Sequence, residues 1–280
     1  MGRHHAAAMP GLQARARLCE SSRSLRRKTM QRWMRMMLIL VLAPAAGARA
    51  ETVLEKVLAP YDSVQSMSCE IRRDTPLPDG NTLRMLSRVY YQRPDKLHVE
   101  NFSPVKRRTI SDGTVFRQYT EGAPKGFSRP VAELDGEMLR NLRMVPGSAA
   151  NMLEVLRGAT EVPLEPTAEF PVRAGYDNQK SFAVLNLDAQ GRLARFELYG
   201  SPAMTDLLTQ TDFSAFQEVA PGVWIACLQQ AKVTVQGMER TETTRVDSPV
   251  ANGEIPAAFF KADAFFPAVE FVDSFDKIAP

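Results

Sequence analysis

Apolar and polar positions alternate along this chain with two periods. Leu54, Val57, Leu58, Tyr61 and Val64 fall at the spacing of one helical face. From residue 66 the period drops to two, the signature of strands. "SMSCEIRR" puts Met67, Cys69 and Ile71 on one side. "TLRMLSRVYYQR" puts Leu83, Met85, Val89 and Tyr91 on one side of a second strand. Between them, "PLPDGN" carries Asp79-Gly80, a pair suited to the positive φ angles of a hairpin. Pro94 ends the second strand because it cannot donate a ladder hydrogen bond. "KLHVENF" then places Leu97 and Val99 on one face, with Lys96, His98 and Glu100 on the polar, solvated one. "KRRTISDGTVFRQY" reads as two strands around Asp112-Gly113.

The middle of the chain changes character. "ELDGEMLRNLR" and "SAANMLEVLRG" have helical spacing, the second with a broad apolar face of Met152, Leu153, Val155 and Leu156 and a stop at Gly158. Residues 159–175 are rich in Pro and Glu and read as a loop. "SFAVLNLDAQGRLARFELYG" is strand, turn, strand, and residues 211–248 read as two more strands and another turn. Within them Val223, Ile225, Cys227, Ala231, Val233 and Val235 keep one parity, interrupted by Gln229. The final "NGEIPAAFFKADAFFPAVEFVDSF" is dense enough in apolar residues to pack against the body as a cover. Consecutive hairpins building one antiparallel sheet, with helices covering an apolar face, define an α+β protein that is mainly β.

Charge separates the chain into two parts. Of 35 Lys+Arg and 32 Asp+Glu, residues 1–50 hold ten basic residues and one acid, Glu20, which leaves 25 basic and 31 acidic residues in 51–280. The body is therefore net acidic, at −6, and offers no clustered cations for nucleic acid. Within 1–50, "MQRWMRMMLILVLAPAAGARA" has the basic, apolar, A-x-A order of a secretory signal peptide, with cleavage expected after Ala50 and Met30 as the start. Its apolar run is about half the ~20 residues needed to span a bilayer. Residues 51–280 then form one domain in the periplasm, an oxidising compartment where Cys69 and Cys227 are able to pair or remain two small buried thiols.

Catalytic chemistry is sparse. His98 is the one histidine after residue 50, so a Ser-His-Asp or Cys-His mechanism would have to use it from a solvated strand face. H-E-x-x-H, C-x-x-C, G-x-S-x-G and Gly-rich phosphate loops are absent from the sequence. Asp74, Asp79, Asp112 and Asp188 fall near turns, where Asp has a structural role. The sequence points to a binding protein without cofactor or metal rather than to an enzyme.

Three stretches carry a family resemblance. "YYQRPDKLHVE", "ISDGTVFRQY" and the amphipathic first helix resemble the LolA-like periplasmic carriers of outer-membrane lipoproteins and the wider lipoprotein-sorting superfamily. "GVWIACLQQAKV" followed by "NGEIPAAFF" looks like that superfamily's last strands and closing segment. The resemblance implies a strongly curved antiparallel sheet, an incomplete barrel, with helices over a concave apolar face that holds acyl chains. It also implies that Arg93, of the Arg-Pro step, hydrogen-bonds to the helical lid. Val89, Tyr91, Leu97 and Val99 would line the cavity, with Met152, Leu153 and Leu156 supplied by the lid. Here the middle insert and the C-terminal segment are longer than in a minimal carrier, and Leu97 and Val99 make the entrance less aromatic.

Two functions follow from this resemblance. One is a monomeric periplasmic carrier of lipoprotein acyl chains, or of another lipid, working between an inner-membrane donor complex and an outer-membrane acceptor. The other is an envelope sensor or scaffold that binds a protein or peptide through a sheet edge or residues 255–275. A hydrolase using carboxylates is a third and more distant reading.

Overall fold

The structure, a computed structural model, describes residues 51–235 and 238–278; the expected signal peptide lies outside them. The first helix, α1 (Val53–Leu58), is shorter than the apolar spacing predicts, because Pro60 converts its continuation into a 3-10 turn over Ala59–Ser63. A capping box fixes its start: the Thr52 hydroxyl accepts from the Glu55 amide while the Glu55 carboxylate accepts from the Thr52 amide.

Six strands follow: β1 (Ser66–Pro76), β2 (Thr82–Gln92), β3 (Lys96–Ser103), β4 (Arg107–Asp112), β5 (Val115–Thr120) and β6 (Gly126–Pro130). Helices α2 (Gly136–Arg143) and α3 (Ala150–Glu154) form the middle. The second run comprises β7 (Thr160–Pro163), β8 (Val172–Asp177), β9 (Phe182–Leu187), β10 (Leu193–Tyr199), β11 (Leu207–Ala220), β12 (Val223–Val235) and β13 (Met238–Ala251). A two-residue strand, β14 (Phe271–Val272), comes last. The loop expected over 159–175 thus contains β7 and the start of β8. The 211–248 region yields three strands rather than two, because the polar run of β13 gives no alternation by which to recognise it.

Among the described residues the fourteen strands form one curved, unclosed sheet, in the order β14-β6-β5-β4-β3-β2-β1-β13-β12-β11-β10-β9-β8-β7. Each pairing is antiparallel except β14 with β6. Both runs are chains of hairpins, and one non-local pairing joins them: β1 with β13, from Met67 opposite Ala251 to Asp74 opposite Thr243. The Asp-Gly turns behave as the sequence predicts, with Gly80 and Gly113 at φ of 83° and 97°.

The concave face is apolar and covered by helices. Under α1 and α3, Leu54, Leu58, Leu153 and Leu156 pack with Tyr176, Leu185 and Phe196. Across the middle strands Met67, Val89, Tyr91, Ile225 and Val246 form a second cluster, and α2 seats Leu142 against Phe116 and Phe127.

The opposite face has a cover of its own, which changes the reading of His98. Alternation does put His98 on the far side from Leu97 and Val99, but the residue is 2% exposed rather than solvated. The C-terminal segment lies over it: Phe265 stands edge-on 4.7 Å from the imidazole, and Phe259 lies tilted 4.4 Å from Tyr90. Ala262 and Phe266 pack on Ile110, and Lys125 and Arg129 tie the segment down through Glu270 (2.7 Å) and the Asp273 carbonyl (2.7 Å). The segment is thus a structural cover, with Phe260 and Phe266 buried in it.

Two outcomes follow. Gly175 leaves room for the Phe182 ring, which a Cβ would meet at 2.2 Å. Gly175→Ala should lower unfolding stability by about 1–3 kcal/mol in urea titrations, the usual consequence of overpacking. His98 is held below its ordinary pKa by burial and, second, by the Arg108 guanidinium. The folded protein therefore carries a neutral imidazole, whereas the unfolded chain binds a proton near ~6.5. Stability should be complete above that pH and fall as pH drops through it toward the depressed folded value. His98→Phe should flatten that part of the urea-midpoint profile between neutral and mildly acidic pH.

Candidate ligand cavity and its cover

A cavity of about 560 Å3 lies between the concave face and the chain that links α2 to α3. The sheet contributes Ile71, Val89, Leu97, Val99 and Val246, and the cover contributes residues 144–149 and Met152. The apolar wall follows from strand parity: β1, β2 and β3 bring Ile71, Val89 and Val99 to one face, with Val89 directly opposite Val99. The cover over it is irregular chain. Its backbone is satisfied locally, with the Ser148 hydroxyl donating to the Val145 carbonyl at 2.6 Å and the Gln229 amide donating to the Gly147 carbonyl at 3.2 Å.

Residues 91–95 hold both parts of the cover. Arg93 Nε donates to the Val64 carbonyl at 2.8 Å and one Nη to the Tyr61 carbonyl at 3.0 Å. These carbonyls lie at the end of the α1 and 3-10 run; that of Tyr61 also accepts the Val64 amide at 3.1 Å and has a second lone pair for the guanidinium. Asp62 stands 3.5 Å from the same guanidinium but is well exposed, so that ion pair adds little. Tyr91 is fully buried, and its hydroxyl donates to the Arg143 carbonyl at the end of α2 at 2.8 Å. Burial pushes the Tyr91 phenol above its ordinary pKa, so it remains a neutral donor. Asp95 then receives Arg143 Nε at 2.6 Å, and that contact raises the guanidinium pKa.

The sequence-predicted residues thus divide into three groups. Val89, Leu97, Val99 and Met152 line the cavity. Tyr91 and Arg93 anchor its cover. Leu153, in α3, and Leu156, in the turn after it, lie elsewhere, fully buried in the core with Leu54 and Tyr176. Asp95, Arg143 and Val246 escaped the sequence reading. An acid directly after an Arg-Pro step and an arginine in a helix's last turn are the signals that could have flagged the first two. Val246 had none, lying in the polar run of β13.

Cys69 and Cys227 are free thiols here, not a disulfide. They sit on β1 and β12, with β13 between them. Strands two apart lie about 10 Å apart, beyond disulfide reach. Burial pushes the Cys69 thiol up to about 12. Among the described residues, no group of three or more His, Cys, Asp or Glu could hold a metal ion, and no helix is long and apolar enough to cross a membrane.

No family model and no curated protein matches the chain. Among solved structures it is similar to a LolA superfamily protein, NE2245, from Nitrosomonas europaea: 13% identity, 77% of this chain and 98% of that one covered, TM-score 0.48. It is also similar to a DUF1329 family protein from Desulfovibrio piger: 12% identity, 76% and 97% covered, TM-score 0.49.

Removing the Arg93 fork should loosen the first cover. In Arg93→Ala, amide exchange over residues 54–64 should accelerate roughly tenfold or more, as expected for losing about 1–3 kcal/mol of charged hydrogen bonding. Arg93→Lys should restore only part of the protection, since an ammonium cannot reproduce the two-pronged contact. Exchange unchanged in Arg93→Ala would mean that α1 is held by its core contacts alone.

Proposed function

We propose that the protein is a periplasmic carrier that binds acyl chains, of lipoproteins or of another lipid, in the cavity between the concave sheet and its cover. The observation that carries this reading is the cavity itself. At about 560 Å3 it falls within the ~300–1,000 Å3 of small-molecule sites, and its sheet wall sets Ile71, Val89, Leu97, Val99 and Val246 beside the polar Arg73, Gln229 and Thr244. Met152 on the cover side adds a flexible side chain able to repack around different ligands.

The chemistry required is burial alone. At about 0.8 kcal/mol per methylene, an acyl chain of about ten methylenes gains on the order of 8 kcal/mol before the costs of ordering it and moving the cover. Arg93, Tyr91 and Asp95 set that second cost, since they hold the cover through a few polar bonds that can break and re-form together. Such a carrier works without cofactor and without catalysis. It takes its cargo from an inner-membrane donor complex and delivers it to an outer-membrane acceptor, as a monomer whose secretion signal is removed after Ala50.

Native mass spectrometry tests this on protein purified from the periplasm without detergent, followed by organic extraction. A co-purifying lipid or acylated peptide is expected, with occupancy changed in Arg93→Ala. Val99→Trp, which fills the cavity from the sheet side, should abolish uptake of a fluorescent fatty-acyl probe while leaving the circular dichroism spectrum unchanged. A bare polypeptide mass that also fails to take up the probe sinks the carrier reading and turns the search toward a protein partner.

A further inference from the structure

The cavity has a neighbour. A second cleft, of about 280 Å3, lies between α1 with its 3-10 turn and the ends of β10, β11 and β12. Val57, Tyr61, Phe213, Phe216 and Trp224 wall it. Tyr61 is fixed there by its hydroxyl, which donates to the Trp224 carbonyl at 2.9 Å. The Arg192 guanidinium lies 4.3 Å over the Phe216 ring.

One residue belongs to both spaces. Ala149, half-buried in the chain between α2 and α3, lines the larger cavity and the smaller cleft alike. The two spaces therefore adjoin at this residue. Taken alone, the smaller cleft falls just under the ~300 Å3 at which small-molecule sites begin. Beside a larger cavity it has the dimensions of an annex. Both have mixed apolar and polar linings and both open to solvent. Each also carries cations on its wall: Arg73 in the larger, Lys56 and Arg192 in the smaller.

We propose that the two clefts are two arms of one site, and that the ligand has two apolar chains joined at a polar head, one chain in each arm and the junction at Ala149. This rests on the carrier reading and narrows it to a ligand class. A single chain is served by the larger cavity and gains nothing from aromatic walls next door. A second chain on the same head finds them on the other side of Ala149, while Arg73 and Arg192 are already paired with Glu242 and Asp188.

Calorimetric titration with two lipids of one head group tests the assignment: a short-chain phosphatidylglycerol below its micelle concentration, and its one-chain lyso form. The protein is purified as processed by cells expressing the full chain. The two-chain lipid should bind one to one and at least about tenfold more tightly, since each further buried methylene adds ~0.8 kcal/mol. Val57→Phe narrows only the smaller cleft, so it should bring the two-chain lipid to the affinity of the lyso form and leave lyso binding unchanged. That retained binding also shows that the variant is folded. Ala149→Leu, at the shared residue, should weaken both lipids. Equal affinities in the unaltered protein, or a two-chain affinity untouched by Val57→Phe, overturn the two-arm site while the carrier reading stands. Binding of neither lipid overturns both.

Discussion

An open antiparallel sheet with one apolar face cannot remain uncovered in water, and here the cover cannot stand without the sheet. Among the described residues the three α-helices span six, eight and five residues. Isolated helices shorter than ~12–15 residues are marginal in water, so these depend on docking. Sheet and cover therefore define each other, and the space between them is whatever the docking leaves unfilled. At the two ends of the concave face it leaves packed core, under α1 and α3 and under α2, with the smaller cleft beside α1. Over the middle strands the cover is the irregular chain between α2 and α3, and there it leaves the larger cavity. Regular helices present rows of side chains that interlock with a sheet, whereas a backbone bridge of small residues such as Gly147, Ser148 and Ala149 does not.

The polar contacts that seat this cover are concentrated. Residues 91–95 reach α1 through Arg93 and α2 through Tyr91 and Asp95. A concentrated anchor makes the two parts of the cover respond to one point in the sheet. Each contact is a side chain meeting a backbone carbonyl or a charged partner at a helix end, where unsatisfied groups are available in any case. Arg93 therefore stands in an otherwise apolar pattern without being orphaned, because the chain end it meets supplies it with acceptors.

Much of this was legible in the sequence, and the parts that were not have a common cause. Period-two alternation and Asp-Gly turns located the hairpins of β1–β5, because those signals are local. Alternation also separated the two faces of β3 correctly, but it carries no information about what covers each. That is why His98, on the polar side by parity, proved to be enclosed by Phe265 and its neighbours from residues more than 150 positions away. β13 was obscure for a related reason. Its polar residues are held by ladder bonds to β1 and β12 rather than by an apolar stripe. The cavity lining on the sheet was readable from parity and resemblance together. Leu153 and Leu156 were misplaced because a helical face shows that residues are buried, not which of two adjoining spaces receives them.

The pairing of β1 with β13 has a consequence for how the molecule comes into being. As the chain is made from its N-terminus, β1–β6 can zip into hairpins early, but the far edge of β1 has no partner until β13 appears. Contacts so distant in sequence close slowly, since loop entropy is lost before they return anything. Until then, half the sheet exists with a bare strand edge and an apolar face covered only in part, the condition in which β proteins aggregate. The two pieces that remedy this, the strand that joins the halves and the segment that covers the outer face, both follow β12 in the chain, so that the early hairpins wait for late ones before the sheet is shielded.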